Sequence, residues 1–341
     1  MTAMPAHRAS TQPDLSDEPP VRPTHPALAA GLAIVRVLVV AVVLAAVGYA
    51  VSREWDAVSE AIVLISPLTI ALALLGAMVG LGATVKTWQL LLGALGSELH
   101  GAHAAQVFLT GQLARYLPGS VWAFLLQAQL GRRHEIPRAR ALLAVLLAVG
   151  VTTASGLTIG IVAVPTFAAE WGGWAWVLAL GPLSLLCLVP RVLTMISNIV
   201  LRLLRRPGLT SAIDGRAILA ALAWSVVSWF AYGLQLWALA NSTGGLPSQE
   251  YPFVTATFAL AVCAGFLAFL LPSGVGVREA VIAVGLSTFM PAGAALAIAL
   301  VSRLVCTAAD VLGAGCAVAI SRLVHRRTAA VTRESSAAPR S

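Results

Sequence analysis

Charged residues are scarce in this chain and make up only 11% of its 341 residues. A soluble domain carries about 25% charged side chains, because its surface must be hydrated. Hydrophobic residues reach 59%, so a water-facing surface cannot be built from this sequence. The lack of charge excludes a soluble enzyme and indicates a polytopic membrane protein made of helices.

Motifs that carry chemistry are also missing. The sequence has no phosphate-binding loop, no nucleophile elbow, no zinc-protease motif and no paired-carboxylate string. The four cysteines lie in apolar segments without the short spacings of disulfide or metal motifs: Cys187, Cys263, Cys306 and Cys316. We therefore predict no catalytic residue, no metal and no cofactor. Nothing here binds ATP, so any transport would be downhill, ion-coupled or dependent on a partner.

The two ends of the chain lack the apolar character of its middle. Residues 1–26 hold six prolines and five charges, which is too little apolar surface to fold. Prolines and acids exclude a cleaved signal peptide there. We predict a disordered cytoplasmic tail over 1–26, one membrane domain over 27–323, and a second disordered cytoplasmic tail over 324–341.

Apolar runs of about 20 residues, the length that crosses a bilayer, recur along the middle of the chain. Two further apolar segments, roughly 104–131 and 253–290, are interrupted by proline and glycine and read as helical hairpins. The predicted fold is therefore an all-α polytopic membrane protein with six full spans and two interrupted or re-entrant hairpins. The six spans are roughly 31–51, 66–95, 140–165, 171–189, 213–240 and 293–320.

The arginines indicate how the chain is oriented. They cluster in alternate loops, whereas the loops between those clusters lean acidic, and basic loops stay in the cytoplasm. The net charge of +8 is therefore a topology signal and not a nucleic-acid signal. We predict a multi-pass protein of the cell membrane with both termini cytoplasmic. The clusters are Arg132, Arg133, Arg138 and Arg140; Arg191, Arg202, Arg205 and Arg206; and Arg322, Arg326 and Arg327.

The two interrupted segments resemble one another. Gly111 to Ser120 reads GQLARYLPGS, and Gly265 to Gly274 reads GFLAFLLPSG. Three predicted spans, an odd number, separate the copies, so the second enters the membrane from the opposite side. Inverted, interrupted helices mark transport sites near the bilayer midplane. Chance similarity between two apolar stretches is the alternative.

Six ionisable residues lie inside apolar segments. Each costs about 2.5–3.5 kcal/mol at a helix centre, so each must pair or face a wet cavity. Arg303 and Asp310 are seven residues apart and share a helix face. Lys86 has a second interpretation, in which its long side chain reaches the cytoplasmic interface. The six are Lys86, Arg115, Arg278, Glu279, Arg303 and Asp310.

The second break is the most informative string. Pro272 ends a helix, and Gly274 and Gly276 open the backbone. A new half-helix would then begin near Arg278 and Glu279, where free N–H groups and a guanidinium suit a phosphate. Glu279 could also hold Arg278 in place or carry a proton. The alternative is a buried structural ion pair at a helix start.

The first break supplies a matching set, Arg115, Tyr116, Pro118 and Gly119, with Trp122 just beyond. Arg115 is the natural second contact for an anion. An interfacial arginine–aromatic belt is the alternative. In the fifth span, one face carries polar side chains that could line a path or form interhelical hydrogen bonds: Ser225, Ser228, Tyr232 and Gln235.

These motifs resemble the flippase-like membrane domain of lysylphosphatidylglycerol synthases. The matching strings are Lys86-Thr87-Trp88, Gly111 through Trp122, and Pro272 through Glu279, together with Arg303. The resemblance covers roughly residues 30–320 and implies movement of an anionic or polar lipid across the bilayer. The synthases carry a catalytic domain that this sequence lacks, so the resemblance does not imply aminoacyl transfer. Other relatives are linked to polyprenyl-phosphate glycans or to hopanoids.

The leading hypothesis is a non-enzymatic translocator of an anionic phospholipid or a polyprenyl-phosphate-linked lipid. Arg115, Arg278 and Arg303 would contact the phosphate, and Glu279 and Asp310 would tune charge or couple protons. One alternative is a membrane enzyme acting on a lipid phosphate, with Glu279 or Asp310 as base. Another is a scaffold for a partner transferase. The oligomeric state is left open.

Overall fold

The computed structural model describes residues 49, 52–53, 55–99, 101–113, 129–131, 136–203, 205–209, 212–243, 245–267 and 274–337. Helices are the regular elements of this described part. The α-helices are α1 (Trp55–Leu64), α2 (Pro67–Ala94), α3 (Gly101–Leu113), α4 (Arg138–Gly160), α5 (Val164–Trp171), α6 (Pro190–Leu203), α7 (Gly215–Asn241), α8 (Tyr251–Leu267), α9 (Val277–Leu286) and α10 (Ala292–Ala337). Shorter-pitched 3-10 segments cover Ile161–Ala163, Gly172–Leu188 and Ser248–Glu250.

Five stretches of the described chain are long and apolar enough to cross a membrane: Pro67–Ala94, Arg138–Ala169, Gly215–Asn241, Ser248–Leu267 and Ala292–Val324. A sixth is reached if Leu180–Leu188 and α6, which meet at a bend of 76°, are counted as one span. The prediction of an all-helical, multi-pass membrane protein is confirmed. The predicted span at 31–51 lies outside the described residues.

Local sequence explains where the long helices begin. Ser66 precedes α2, and its hydroxyl accepts a hydrogen bond from the Thr69 N–H at 3.1 Å. Pro67 follows at the first helical position, where its missing N–H costs nothing. Asp214 caps α7 in the same way, through the Arg216 N–H at 3.1 Å. These side chains satisfy N–H groups that a helix start leaves unpaired.

Small residues let the spans approach closely. A Cβ added to Gly80 on α2 would lie 2.9 Å from the Tyr232 ring on α7. A Cβ added to Gly156 on α4 would lie 2.7 Å from the Trp229 ring on α7. Both glycines therefore serve helix packing, as small residues commonly do in membrane bundles. This packing brings α2, α4 and α7 together.

The polar stripe on α7 forms hydrogen bonds between helices. The Ser155 and Ser225 hydroxyls lie 2.7 Å apart, and the Trp229 indole N–H donates to Ser155 at 2.9 Å. Farther along α7, Ser228 lies 3.0 Å from the Thr84 hydroxyl of α2. The Ser302 hydroxyl of α10 donates to the amide oxygen of Gln235 at 3.1 Å. Of the two interpretations of this stripe, interhelical hydrogen bonding therefore accounts for its serines and for Gln235.

We expect Ser155→Ala to lower the free energy of unfolding by about 0.6–1.7 kcal/mol, from the average to the largest value measured for interhelical hydrogen bonds in a membrane bundle. The loss arises because the Trp229 N–H and the Ser225 hydroxyl lose a shared partner in a buried site. Denaturant unfolding of the protein in mixed micelles measures it. Ser52→Ala, at an exposed position, is the control. Equal stability of the two variants would contradict the prediction.

The second predicted break is a helix–break–helix unit made of α8 and α9. The two helices pack against each other, and α9 also packs against α10. At ten residues, α9 is about 15 Å long, half the hydrocarbon thickness of a bilayer. The first predicted break is described up to Leu113, the end of α3, which also packs against α10. Helix α10 therefore contacts both interrupted segments.

Candidate functional site

Two glycines shape the chain between α8 and α9. Gly274 and Gly276 have φ angles of 66° and 85°, in the left-handed region. A side chain there would strain the backbone, and glycine removes that cost. These angles agree with the prediction that the two glycines open the backbone. The turn delivers the chain into α9, which begins at Val277.

The turn lies directly against the end of α8. A Cβ added to Gly274 would sit only 2.6 Å from the Cα of Gly265. A Cβ added to Gly265 would meet the Cγ of Arg278 at 2.8 Å and its Cδ at 3.0 Å. The aliphatic stem of Arg278 therefore packs on the backbone of Gly265. The turn contacts α8 through Gly274 and Gly265, which have no side chains.

Glu279 is bound from two sides and is 4% exposed. Its Oε2 accepts the backbone N–H of Gly276 at 2.6 Å, which caps the start of α9. Its Oε1 accepts from a guanidinium N–H of Arg303 at 2.8 Å, so α9 is tied to α10 by an ion pair. Glu279 thus forms a buried ion pair at a helix start, as the alternative interpretation expected, and its partner in that pair is Arg303.

Arg278 lies over an aromatic ring. Its guanidinium carbon is 5.7 Å from the centroid of Phe258 on α8. Tyr232 on α7 stacks with Phe258 at 5.4 Å between centroids and 15° between planes. A guanidinium that rests its face on a ring keeps its N–H donors in the plane of the group, where an oxyanion binds. Phe258 and Tyr232 therefore form the aromatic surface beside the Arg278 guanidinium.

The charges at this break sum to one net positive. Arg278 and Arg303 contribute two positive charges, and Glu279 contributes one negative charge. Asp310 is also buried on α10, 4% exposed, and lies two helical turns, about 10 Å, from Arg303. Both residues belong to α10, so their seven-residue spacing places them on the same face of that helix.

Lys86 takes part in a separate hydrogen-bond chain. Its ammonium donates to the Gln89 amide oxygen at 3.0 Å, and the Gln89 amide N–H donates to the Leu99 carbonyl at 2.8 Å. Leu99 lies in the connection after α2, so Lys86 is linked to the C-terminal end of its helix. The Lys86 side chain therefore extends toward the end of its helix, as the interpretation that it reaches the membrane interface expects.

Part of the predicted site lies outside the described residues. This applies to Arg115, Tyr116, Pro118 and Gly119 at the first break and to Pro272 at the second, and their roles remain predictions. Sequence reasoning missed Phe258 and the close approach of Gly265 to Gly274. The alignment of the two repeats did single out Gly265, so the sequence held a signal for that residue. An isolated phenylalanine twenty residues before Arg278 gives no signal that it belongs to the site.

Metal ligands do not gather at this site. Within the described ranges, no group of three or more His, Cys, Asp or Glu side chains is placed to hold an ion. The carboxylate nearest the break, Glu279, already binds Arg303 and a backbone N–H.

Comparison with known proteins gives one family. Residues 29–313 match the family described as the lysylphosphatidylglycerol synthase TM region. The match covers both interrupted segments and ends part-way along α10. No curated protein matches the chain.

Proposed function

The chain belongs to the lysylphosphatidylglycerol synthase TM region family, and from that membership we propose that it translocates an anionic phospholipid or a polyprenyl-phosphate-linked lipid. The headgroup would cross through a cavity between the two interrupted segments while the acyl or prenyl tails stay in the bilayer. We place the protein in the cell membrane with both termini cytoplasmic and assign it no catalytic reaction.

The placement of Arg278 is the observation that carries the proposal. This arginine stands at the start of a half-length helix, beside a backbone turn, with its stem on Gly265 and its guanidinium on Phe258. The adjacent carboxylate, Glu279, is held by Arg303 and by Gly276. Glu279 therefore has two partners of its own, and the Arg278 guanidinium beside it is the group that a lipid phosphate would recognise.

The other intramembrane residues take supporting roles in this proposal. Arg303 fixes Glu279 and links α9 to α10, so it positions the start of α9. Arg115, at the first break, supplies the second phosphate contact on the opposite side of the membrane. Asp310 adds a negative charge to α10, two helical turns after Arg303. The inverted arrangement of the two breaks lets each hold the phosphate at one stage of its passage.

Reconstituted exchange of a labelled lipid tests the proposal. Vesicles hold the purified protein and phosphatidylglycerol with a fluorescent headgroup, and a membrane-impermeant reductant reports the fraction in the outer leaflet. We expect exchange to depend on the protein and to slow by roughly ten- to a hundredfold in Arg278→Gln, because a charge-assisted hydrogen bond of about 1.5–3 kcal/mol is lost.

Two further variants sharpen this test. Arg53→Gln removes an exposed arginine that precedes α1 and should exchange lipid like the parent. Arg278→Lys keeps the charge but loses the planar group that rests on Phe258, so we expect an intermediate rate. If the folded Arg278→Gln variant exchanges lipid as fast as the parent, the proposed site is wrong. If the folded protein exchanges no lipid class, the translocation proposal is wrong, and a scaffold role for a partner transferase becomes the better explanation.

A further inference from the structure

Helix α6 is set at a steep angle to the chain that leads into it. The bend between Leu180–Leu188 and α6 is 76°. An apolar segment that crosses a bilayer is tilted by about 20° on average from the membrane normal. A helix that turns away from such a segment at this angle runs along the membrane rather than through it.

The surface of α6 is divided into three stripes. One stripe is buried against the protein, through Leu193, Ser197 and Leu201. A second stripe is apolar yet exposed. Between them lies a polar stripe at helical spacing that starts and ends with arginine. The exposed apolar side chains are Met195 at 57%, Ile196 at 38%, Ile199 at 56% and Leu203 at 83%, and the polar stripe is Arg191, Thr194, Asn198 and Arg202.

A groove of about 410 Å³ runs along the polar stripe beside Ala212. The connection after α6 is fastened to it, because the Leu209 N–H donates to Asn198 at 2.8 Å and the Ile213 N–H donates to Thr194 at 3.0 Å. Arg191 and Arg202 stand at the two ends of the groove, eleven residues or about 16 Å apart along the helix. This spacing suits contacts with neighbouring lipid headgroups.

The charge of this segment points to the same partner. Between residues 190 and 213 the chain has four arginines and no acidic residue. Arg202, Arg205 and Arg206 are exposed at the end of α6 and just beyond it. Each basic residue near an anionic membrane surface strengthens association by roughly fivefold. A helix with an exposed apolar stripe and a basic edge is the pattern of an interfacial helix.

We propose that α6 is an interfacial helix that docks on anionic phospholipid in the headgroup region of the bilayer. Its exposed apolar stripe, with Met195 and Ile199 at the centre, inserts among the upper parts of the acyl chains. Arg191 and Arg202 contact neighbouring lipid phosphates. The inference does not depend on lipid translocation, since it rests on a surface remote in sequence from the α8–α9 break.

Depth-dependent fluorescence quenching tests where α6 lies. A bimane label is attached to Ile199→Cys, or in a second variant to Met195→Cys, after the exposed Cys187 and Cys316 are changed to serine. We expect strong quenching by phospholipid spin-labelled near the top of its acyl chain, and protection from aqueous iodide. The same label on the exposed Gln249→Cys, in the connection between α7 and α8, is the control for iodide access.

Two outcomes would overturn the depth assignment. Quenching of the Ile199 label mainly by iodide would place α6 in water. Stronger quenching by a spin label at the end of the acyl chain than near its top would make α6 part of a re-entrant or spanning segment. The proposal is supported only if the spin label near the top of the acyl chain quenches the bimane most strongly.

The charge part of the proposal has its own test. Quenching of the Ile199 label by spin-labelled phosphatidylglycerol is compared with quenching by spin-labelled phosphatidylcholine at the same depth. We expect the anionic lipid to quench more in the parent, and the double variant Arg191→Gln/Arg202→Gln to abolish that preference. Arg53→Gln/Arg322→Gln removes the same number of exposed charges elsewhere and should retain it. No preference in the parent would refute the assignment of an anionic partner.

Discussion

Replacing Glu279 by glutamine will lower the free energy of unfolding by about 3–5 kcal/mol, the cost of breaking a buried ion pair from one side. Glu279 is 4% exposed, and its partner Arg303 lies between two packed helices. Glutamine has the same shape and keeps an oxygen that accepts the Gly276 N–H. The substitution therefore removes the charge while retaining the cap of α9, and the Arg303 guanidinium loses the Glu279 carboxylate.

Unfolding in mixed micelles, followed by circular dichroism against denaturant, measures the loss for Glu279→Gln. The matched control is Glu60→Gln on α1, an exposed carboxylate whose removal should change stability by less than about 0.5 kcal/mol. The double variant Glu279→Gln/Arg303→Met removes both charges of the pair and should recover part of the loss, because neither partner is left as a single charge. If Glu279→Gln is as stable as Glu60→Gln, the ion pair does not hold α9 to α10.

The second large effect is expected at Gly274, where alanine should destabilise the protein by about 2–5 kcal/mol. A left-handed backbone costs a residue with a Cβ about 1–2 kcal/mol. The added Cβ would also lie 2.6 Å from the Cα of Gly265, and overpacking of this kind costs about 1–3 kcal/mol. Because the obstacle is backbone, the neighbour cannot move aside by changing its rotamer.

A glycine in open space provides the comparison for Gly274→Ala. Gly82 lies within α2, with nothing inside 4 Å of an added Cβ. Alanine there should leave stability unchanged or raise it by up to about 1 kcal/mol, because alanine loses less backbone entropy in a helix. Chemical unfolding of both variants under one set of conditions decides the matter. A Gly274→Ala protein as stable as Gly82→Ala would show that the turn does not need glycine.

Stability and transport variants separate the roles at the α8–α9 break. We expect both variants to act first on folding, since Glu279→Gln breaks the ion pair between α9 and α10 and Gly274→Ala strains the turn before α9. Arg278→Gln should act on lipid exchange, since glutamine removes the guanidinium while keeping most of the side-chain stem that packs on Gly265. A stability loss in Arg278→Gln equal to that of Glu279→Gln would point to a structural role for both residues.

Much of the fold could be predicted from sequence, because spanning helices depend on local composition. The spans expected at 66–95 and 213–240 correspond to Pro67–Ala94 and Gly215–Asn241, within three residues at every end. Hydropathy sets their length, and capping residues such as Ser66 and Asp214 set their starts. The segment expected to span at 171–189 shows where prediction from local sequence fails. It is continued by a bent, amphipathic helix whose direction depends on packing.

The candidate site was predictable only in outline. Scarce charge made each intramembrane ionisable residue conspicuous, and glycines near Pro272 marked a break, since both signals are local. The partners were not predictable in this way. Glu279 meets Arg303 from a helix 24 residues farther along, and Arg278 rests on Phe258 and Gly265, which resemble any other apolar and small residues. The sequence by itself determined which residues need a partner, because burying a charge is costly wherever it occurs. Only the tertiary structure decided which partner each one has, because that choice depends on how α8, α9 and α10 pack.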